Sequence, residues 1–204
     1  MKLYGFPRSR STRVLWALEE CGLEYEYVHV DFASGAGRQP PFIDINPYGK
    51  VPALVHEEGV LTESAAIVSF LGKQVPEAGF VPEEGTRARA LYDQWCFFVI
   101  GELEQPLWTL GKHRFALPKK WRVPEIKETA LWEFKNAAKV LAKGLDGRDF
   151  LVGDRFTFAD LLVAHTLSWA RSFKVPFPDE SLDAYADRIL SRPALERARS
   201  IEKP

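Results

Sequence analysis

Ser9, Ser11 and Thr12 crowd into FPRSRSTRV, residues 6–14, threaded between arginines just ahead of the apolar-periodic VLWALEE. Side-chain oxygens are favoured where a helix begins, because they accept from backbone N–H groups that have no partner inside the helix. Capping uses one of them, and taken alone all three read as helix-start residues. Glu63-Ser64 in LTESAAIVSFL repeats the theme, a carboxylate and a hydroxyl at the head of a second apolar run. Thiolate and metal chemistry have less to work with. Cys21 and Cys96 are the only cysteines, lie far apart without a CxxC spacing, and read as small buried hydrophobes. His29, His56, His113 and His165 show no pairing at helical spacing and no HExxH, so no metal is expected.

Those residues need a scaffold to hold them. A chain of 204 residues buries a real core as one large domain or two small ones. With 46% hydrophobic and 27% charged residues it has the composition of an ordinary globular protein. The formal charge of −1, with basic residues interleaved among acids, argues against a nucleic-acid partner. No stretch approaches the roughly 18 apolar residues of a membrane span. The amino terminus lacks a basic region followed by an apolar run, so a cytoplasmic location without a membrane partner is expected.

Periodicity predicts a strand over 2–6 and a helix over 12–21, with Val14, Leu15, Ala17, Leu18 and Cys21 on one face and Gly22 closing it. EYEYVHV, residues 24–30, alternates as a half-buried strand does. FASGAGRQPP promises little regular structure. Then come a turn at NPYG, a strand from Ala53 to His56, a Glu-Glu-Gly hairpin signal, a short strand at Val60 and Leu61, and a helix from near Glu63. The Pro- and Gly-rich VPEAGFVPEEG, residues 75–85, marks a boundary beyond which strand signals vanish. Helical patterns follow over 86–112, 124–143, 158–171, 179–190 and 193–201. The expected division is a first domain at 1–75, a linker at 76–86 and a helical domain at 87–204. TFAD, Thr157 to Asp160, reads as a capping box, with Phe156 placed to staple onto Leu161.

An α/β amino-terminal domain of this order followed by an all-α carboxyl-terminal domain resembles the cytosolic glutathione transferase family, in which a thioredoxin-like domain precedes a helical one. PRSRSTRV, NPYGKVPAL at 46–54, LTESAAIVSFL at 61–71 and GDRFTFADLLVAHTL at 153–167 carry the likeness across nearly the whole chain. The resemblance implies an enzyme that joins the glutathione sulfur to small hydrophobic electrophiles, with glutathione as co-substrate and no metal. It also implies a homodimer and a role in detoxification. A non-catalytic binding or protein-interaction role on the same architecture is the alternative, since a fold does not certify activity.

By the same resemblance, Val51-Pro52 is the family's cis peptide, and the Val51 backbone pairs with the cysteinyl part of the tripeptide. Glu63 and Ser64 take its γ-glutamyl end; Lys50, Gln39 and Arg38 stand where members bind the glycyl end. One branch activates the thiol with a tyrosine at the last position of the first strand. Aligning the shared Phe-Pro puts Gly5 there, one step from Tyr4, which is therefore a packing residue. The serine-type branch has a hydroxyl two residues after a proline and four before an arginine, matching Pro7, Ser9 and Arg13. Ser9 is the expected thiol donor, with Ser11 or Thr12 as the cap; Ser11 and Thr12 remain the alternative donors. Tyr92, Trp95, Phe98, Trp108, His113 and Trp121 are candidates for the hydrophobic substrate wall, and Glu104 or Gln105 for a residue reaching the neighbouring subunit's site.

Overall fold

The computed structural model describes residues 1–202. Its first part runs β1 (Lys2–Gly5), α1 (Ser11–Cys21), β2 (Glu26–His29), a 3-10 turn (Ala36–Arg38), α2 (Phe42–Ile45), β3 (Ala53–His56), β4 (Gly59–Thr62) and α3 (Ser64–Lys73). The strands form one sheet in the order β2-β1-β3-β4, parallel between β1 and β2 and antiparallel elsewhere. Two parallel neighbours need a crossover, and α1 supplies it. Alternation along β1 turns Leu3 and Gly5 inward, and Leu3 is paired across with Leu54 of β3. The 3-10 turn at 36–38 falls where FASGAGRQPP promised little regular structure, and α2 follows just beyond it, anchored by Phe42, whose buried ring rests 5.8 Å from that of Tyr4. Tyr4 is thus a packing residue, as its register implied.

α1 departs from the one-faced helix expected. Ser11 through Leu18 are all buried, Trp16 included, although Trp16 lies off the face read from sequence. The cause is α9 (Pro193–Ile201), which packs along α1 while α3 covers it on another side. Arg192 forks onto Glu20 at 2.6 and 2.8 Å, Arg197 reaches Glu19 at 2.7 Å, and Thr12 donates to Glu202 at 2.8 Å. The compact units are therefore 1–81 together with 191–204, and 82–190. The last helix thus clusters with the first unit, where α1 offers it a second apolar face and two acidic partners.

The second unit is helical: α4 (Arg87–Phe98), α5 (Glu104–Gly111), α6 (Ile126–Leu145), α7 (Phe158–Ser172) and α8 (Ser181–Leu190). The single helix expected over 86–112 is interrupted by a wide π turn at Val99–Leu103, and a second follows at Lys112–Ala116. Pro106 explains the first. Lacking an N–H, it cannot donate to the carbonyl of Glu102, and the wider turn ahead of it relieves the clash. In α6 the buried Ala130, Phe134, Ala137, Ala138, Leu141 and Leu145 trace one stripe at helical spacing.

α7 opens with the capping box read from TFAD. Asp160 is fully buried, and accepts from Thr157 N at 2.8 Å, Thr157 Oγ1 at 3.0 Å, Leu151 N at 2.9 Å and Tyr185 Oη at 2.8 Å. Burial pushes its carboxyl above the usual range, and these four donors oppose that push. The Phe156 ring meets Phe158 edge-on at 6.3 Å. Asp160→Ala strands several buried donors at about 1–3 kcal/mol each, so urea unfolding is expected to show a loss of about 3 kcal/mol or more. Asp160→Asn, which keeps an acceptor, loses clearly less.

Candidate functional site

The chain turns from β1 into α1 through a knot of short hydrogen bonds. Ser11 Oγ accepts from Phe6 N at 2.9 Å and lies 2.9 Å from Phe6 O; Ser9 Oγ lies 2.7 Å from the same carbonyl and 2.8 Å from Ser11 Oγ. Ser9 Oγ also accepts from Ser11 N at 3.1 Å. No side chain caps α1 from its N-cap position, Arg10. The expectation that Ser11 or Thr12 serves as the cap is therefore corrected: Ser9 takes the first helical N–H, Ser11 ties the strand end, and Thr12 is spent on Glu202. Ser11 is fully buried and Thr12 nearly so, whereas Ser9 is half-buried. Gly5 is required here. A Cβ on it would meet Tyr27 Cε2 at 2.6 Å and Ser11 Oγ at 3.0 Å, so the strand-end position that carries tyrosine in another branch has no room for a side chain.

A second part of the site is the turn before β3. Asn46, buried, donates from Nδ2 to Lys50 O at 2.7 Å and accepts from Tyr48 N at 3.1 Å, fixing the stretch that carries Lys50 and Val51. The Val51–Pro52 peptide is cis, as is Pro40–Pro41. Lys50 is exposed, with Nζ 4.6 Å from the Tyr48 ring centroid. Gln39 is exposed too, and Arg38 Cδ lies 3.2 Å from where a Gly49 Cβ would be, so the GRQ segment and the NPYGK turn are neighbours.

The third part is the head of α3. Glu63 sits at φ 64°, ψ 110°, a sparsely populated conformation for a residue with a side chain. It leaves the Glu63 side chain exposed while Ser64 is buried. Ser64 Oγ accepts from Arg13 Nη1 at 3.2 Å, and Arg13 itself is fully buried. A guanidinium at that depth brings positive charge to the amino end of a helix that already favours anions.

In the helical unit, burial sorts the aromatic candidates. Tyr92 is fully enclosed and Trp95 is 7% exposed, which makes them core rather than wall. Phe98 meets Trp95 edge-on at 5.3 Å, Trp108 lies 6.4 Å from Trp169, and both are partly exposed. His113 Nδ1 accepts from Val123 N at 2.9 Å, which leaves Nε2 as the protonated nitrogen of the neutral ring. Trp121 is exposed beneath Lys120, whose Nζ is 5.4 Å from its centroid. Glu104 is 3% exposed and so is withdrawn from the surface, while Gln105 is exposed.

Comparison with known proteins bears on this arrangement. A family model described as glutathione S-transferase, N-terminal domain, matches residues 1–73, and one described as glutathione S-transferase, C-terminal domain, matches 106–193. Glutathione S-transferase GST-4.5 of Xanthomonas campestris pv. campestris is 30% identical over 203 residues, covering 99% of this chain and 98% of that protein. This chain belongs to the glutathione transferase family. Among solved structures, the ternary complex of BphK, a bacterial GST, matches with a TM-score of 0.87 at 32% identity over 99% of each chain. A sphingomonad glutathione S-transferase complexed with glutathione matches with a TM-score of 0.84 at 34% identity, over 99% of this chain and 98% of that one.

Set within the glutathione transferase family, the chain uses residues that the sequence did not single out. Asn46 had a signal, an Asn opening an NPYG turn; Glu202 had none, since it meets Thr12 from 190 positions away. Glu202 is 5% exposed and its Oε2 is also 3.5 Å from Arg8 N. Burial pushes its carboxyl above the ordinary value, against the Thr12 and Arg8 hydrogen bonds and the Arg199 charge. Cys21 and Cys96 are pushed up to about 12, chiefly by burial, so neither is a thiolate at neutral pH. An acid whose folded pKa is raised makes the folded state the better proton binder. Stability from Glu202 is thus greatest below its unfolded pKa and falls as pH rises through the folded one. Melting temperatures across pH 4 to 8 are expected to fall more steeply for the wild type than for Glu202→Gln. Parallel profiles would show that this carboxylate titrates as it does in the unfolded chain.

Proposed function

We propose that this protein is a serine-type glutathione transferase that joins the glutathione thiolate to small apolar electrophiles. The reading is carried by one observation: a half-buried hydroxyl, Ser9, sits at the amino end of α1 in the same unit as the Val51–Pro52 turn and the Glu63-Ser64 helix start. In this reading the Val51 backbone pairs with the cysteinyl residue. Ser64, which already accepts from Arg13, uses its own proton on the γ-glutamyl carboxylate while Glu63 meets the amino group. Lys50 and Gln39 hold the glycyl carboxylate. The electrophile is met by Phe98, Trp108 and His113, with Tyr92 and Trp95 backing them from the core. Cytoplasmic detoxification by a homodimer is part of the same proposal, and among the described residues no helix is long and apolar enough to cross a membrane.

The chemistry asks little of the protein beyond sulfur. A free thiol has a pKa near 8.5, so only a small fraction is nucleophilic at neutral pH. Donation from Ser9, added to the positive end of α1, favours the anion. The thiolate then attacks the electrophilic carbon, the leaving group departs with the bond's electrons, and the thiol proton passes to solvent. Catalysis comes from thiolate stabilisation and positioning.

Retention on immobilised glutathione followed by turnover of a generic aromatic halide tests the reading. Retention without turnover would favour a binding role instead. Ser9→Ala is expected to leave glutathione affinity nearly unchanged while raising the bound thiol's pKa by about one unit and lowering kcat/KM near neutral pH about tenfold.

A further inference from the structure

We propose that the segment from Lys112 to Arg122 docks on an anionic lipid surface, its cations meeting the headgroups while Phe115 and Trp121 enter the boundary with the acyl chains. The chain carries a formal charge of −1, yet no acid falls between Pro106 and Pro124, where Lys112, Arg114, Lys119, Lys120 and Arg122 stand. Arg122 is spent on structure. Its Nε donates to Leu117 O at 2.8 Å, Nη1 to Arg114 O at 3.1 Å and Nη2 to Phe115 O at 2.7 Å, so the π turn at Lys112–Ala116 and the 3-10 turn at Lys119–Trp121 are held side by side. Val123 N donates to His113 Nδ1 at 2.9 Å and closes the segment from its far end. Among the described residues, none of the other four cations has a carboxylate partner.

Beside these charges lie two large rings that the fold leaves in water, Phe115 at 56% exposure and Trp121 at 63%. Each has a cation close by. Lys120 Nζ is 5.4 Å from the Trp121 centroid, and Arg114 Cζ is 5.9 Å from the ring of Phe173, against which Phe115 packs edge-on. This combination selects the partner. An acidic protein or a nucleic-acid duplex would meet the cations but offers no apolar layer for the rings. A bilayer with anionic headgroups offers both, the rings sitting at the interface and the cations drawn by the surface potential. Because Arg122 and His113 already fix the backbone, little ordering opposes docking. The expectation of no membrane partner rested on spans and leader segments, and a surface segment that docks needs neither. Docking does not depend on the transferase reading.

Sedimentation with vesicles of phosphatidylcholine, with and without phosphatidylserine, tests the proposal. Retention is expected on the anionic vesicles alone, weakening as salt is raised. Lys119→Gln combined with Lys120→Gln is expected to lower vesicle affinity about fivefold for each charge removed, with the melting temperature unchanged. Acyl chains carrying bromine are expected to quench tryptophan fluorescence in the wild type and much less in Trp121→Phe, which keeps an apolar ring. Equal sedimentation with both kinds of vesicle, or none with either, would overturn the proposal. So would anionic retention that survives the paired lysine change, because another surface would then be responsible. Retention with no quenching would overturn the entry of Trp121 into the boundary. Binding of an oligonucleotide in place of the vesicles would give the segment to a different partner, and overturn it as well.

Discussion

The connection from β1 to α1 is the constraint on which the first unit depends. Six positions, Gly5 through Arg10, must reverse the chain while leaving no buried backbone group unpaired, and Phe6 is the crux because both its N–H and its C=O face the serines. Tyr27 fills the space above Gly5, so the strand cannot shift without meeting that ring. Once the turn is fixed, the α1 axis is fixed, and Arg13, one turn further on, arrives at Ser64 with its guanidinium inside the fold. A buried cation of this kind is costly unless held by polar partners. The same geometry that orders the turn thus sets the electrostatics at the head of α3.

Much of this architecture was legible in the residues. The four strands, α3, and α6 through α9 appear within a few positions of where periodicity and turn chemistry put them, because each has an unambiguous period bounded by Gly, Pro or a cap. Gly22, expected to close α1, does so at φ 63°. What failed to show were features set by partners distant in sequence. The second buried face of α1 depends on α9, and no local pattern around Trp16 announces it. The π turn before Pro106 was hidden because the apolar spacing through 86–112 fits a continuous helix almost as well.

The candidate site was legible in outline for the same reason. Hydroxyls at a helix start advertise available oxygens, but not which oxygen receives which N–H. Spacing alone gave three equivalent caps. Burial and distance separate them into a tie for Phe6, a partner for Glu202 and one half-exposed hydroxyl. The aromatic residues were harder to read, since a ring at helical spacing looks alike whether it ends in the core, as Tyr92 does, or at the surface, as Trp121 does.

The return of α9 to α1 makes the first unit discontinuous along the chain, with residues 82–190 inserted between its two pieces. During synthesis the outer side of α1, with Trp16 and the acids Glu19 and Glu20, must wait for more than a hundred residues to be added before its cover exists. The inserted helices have every segment they need by residue 190, just ahead of α9. The topology thereby makes the sheet-bearing unit wait on its final strap, whereas the helical insert draws on no segment beyond residue 190.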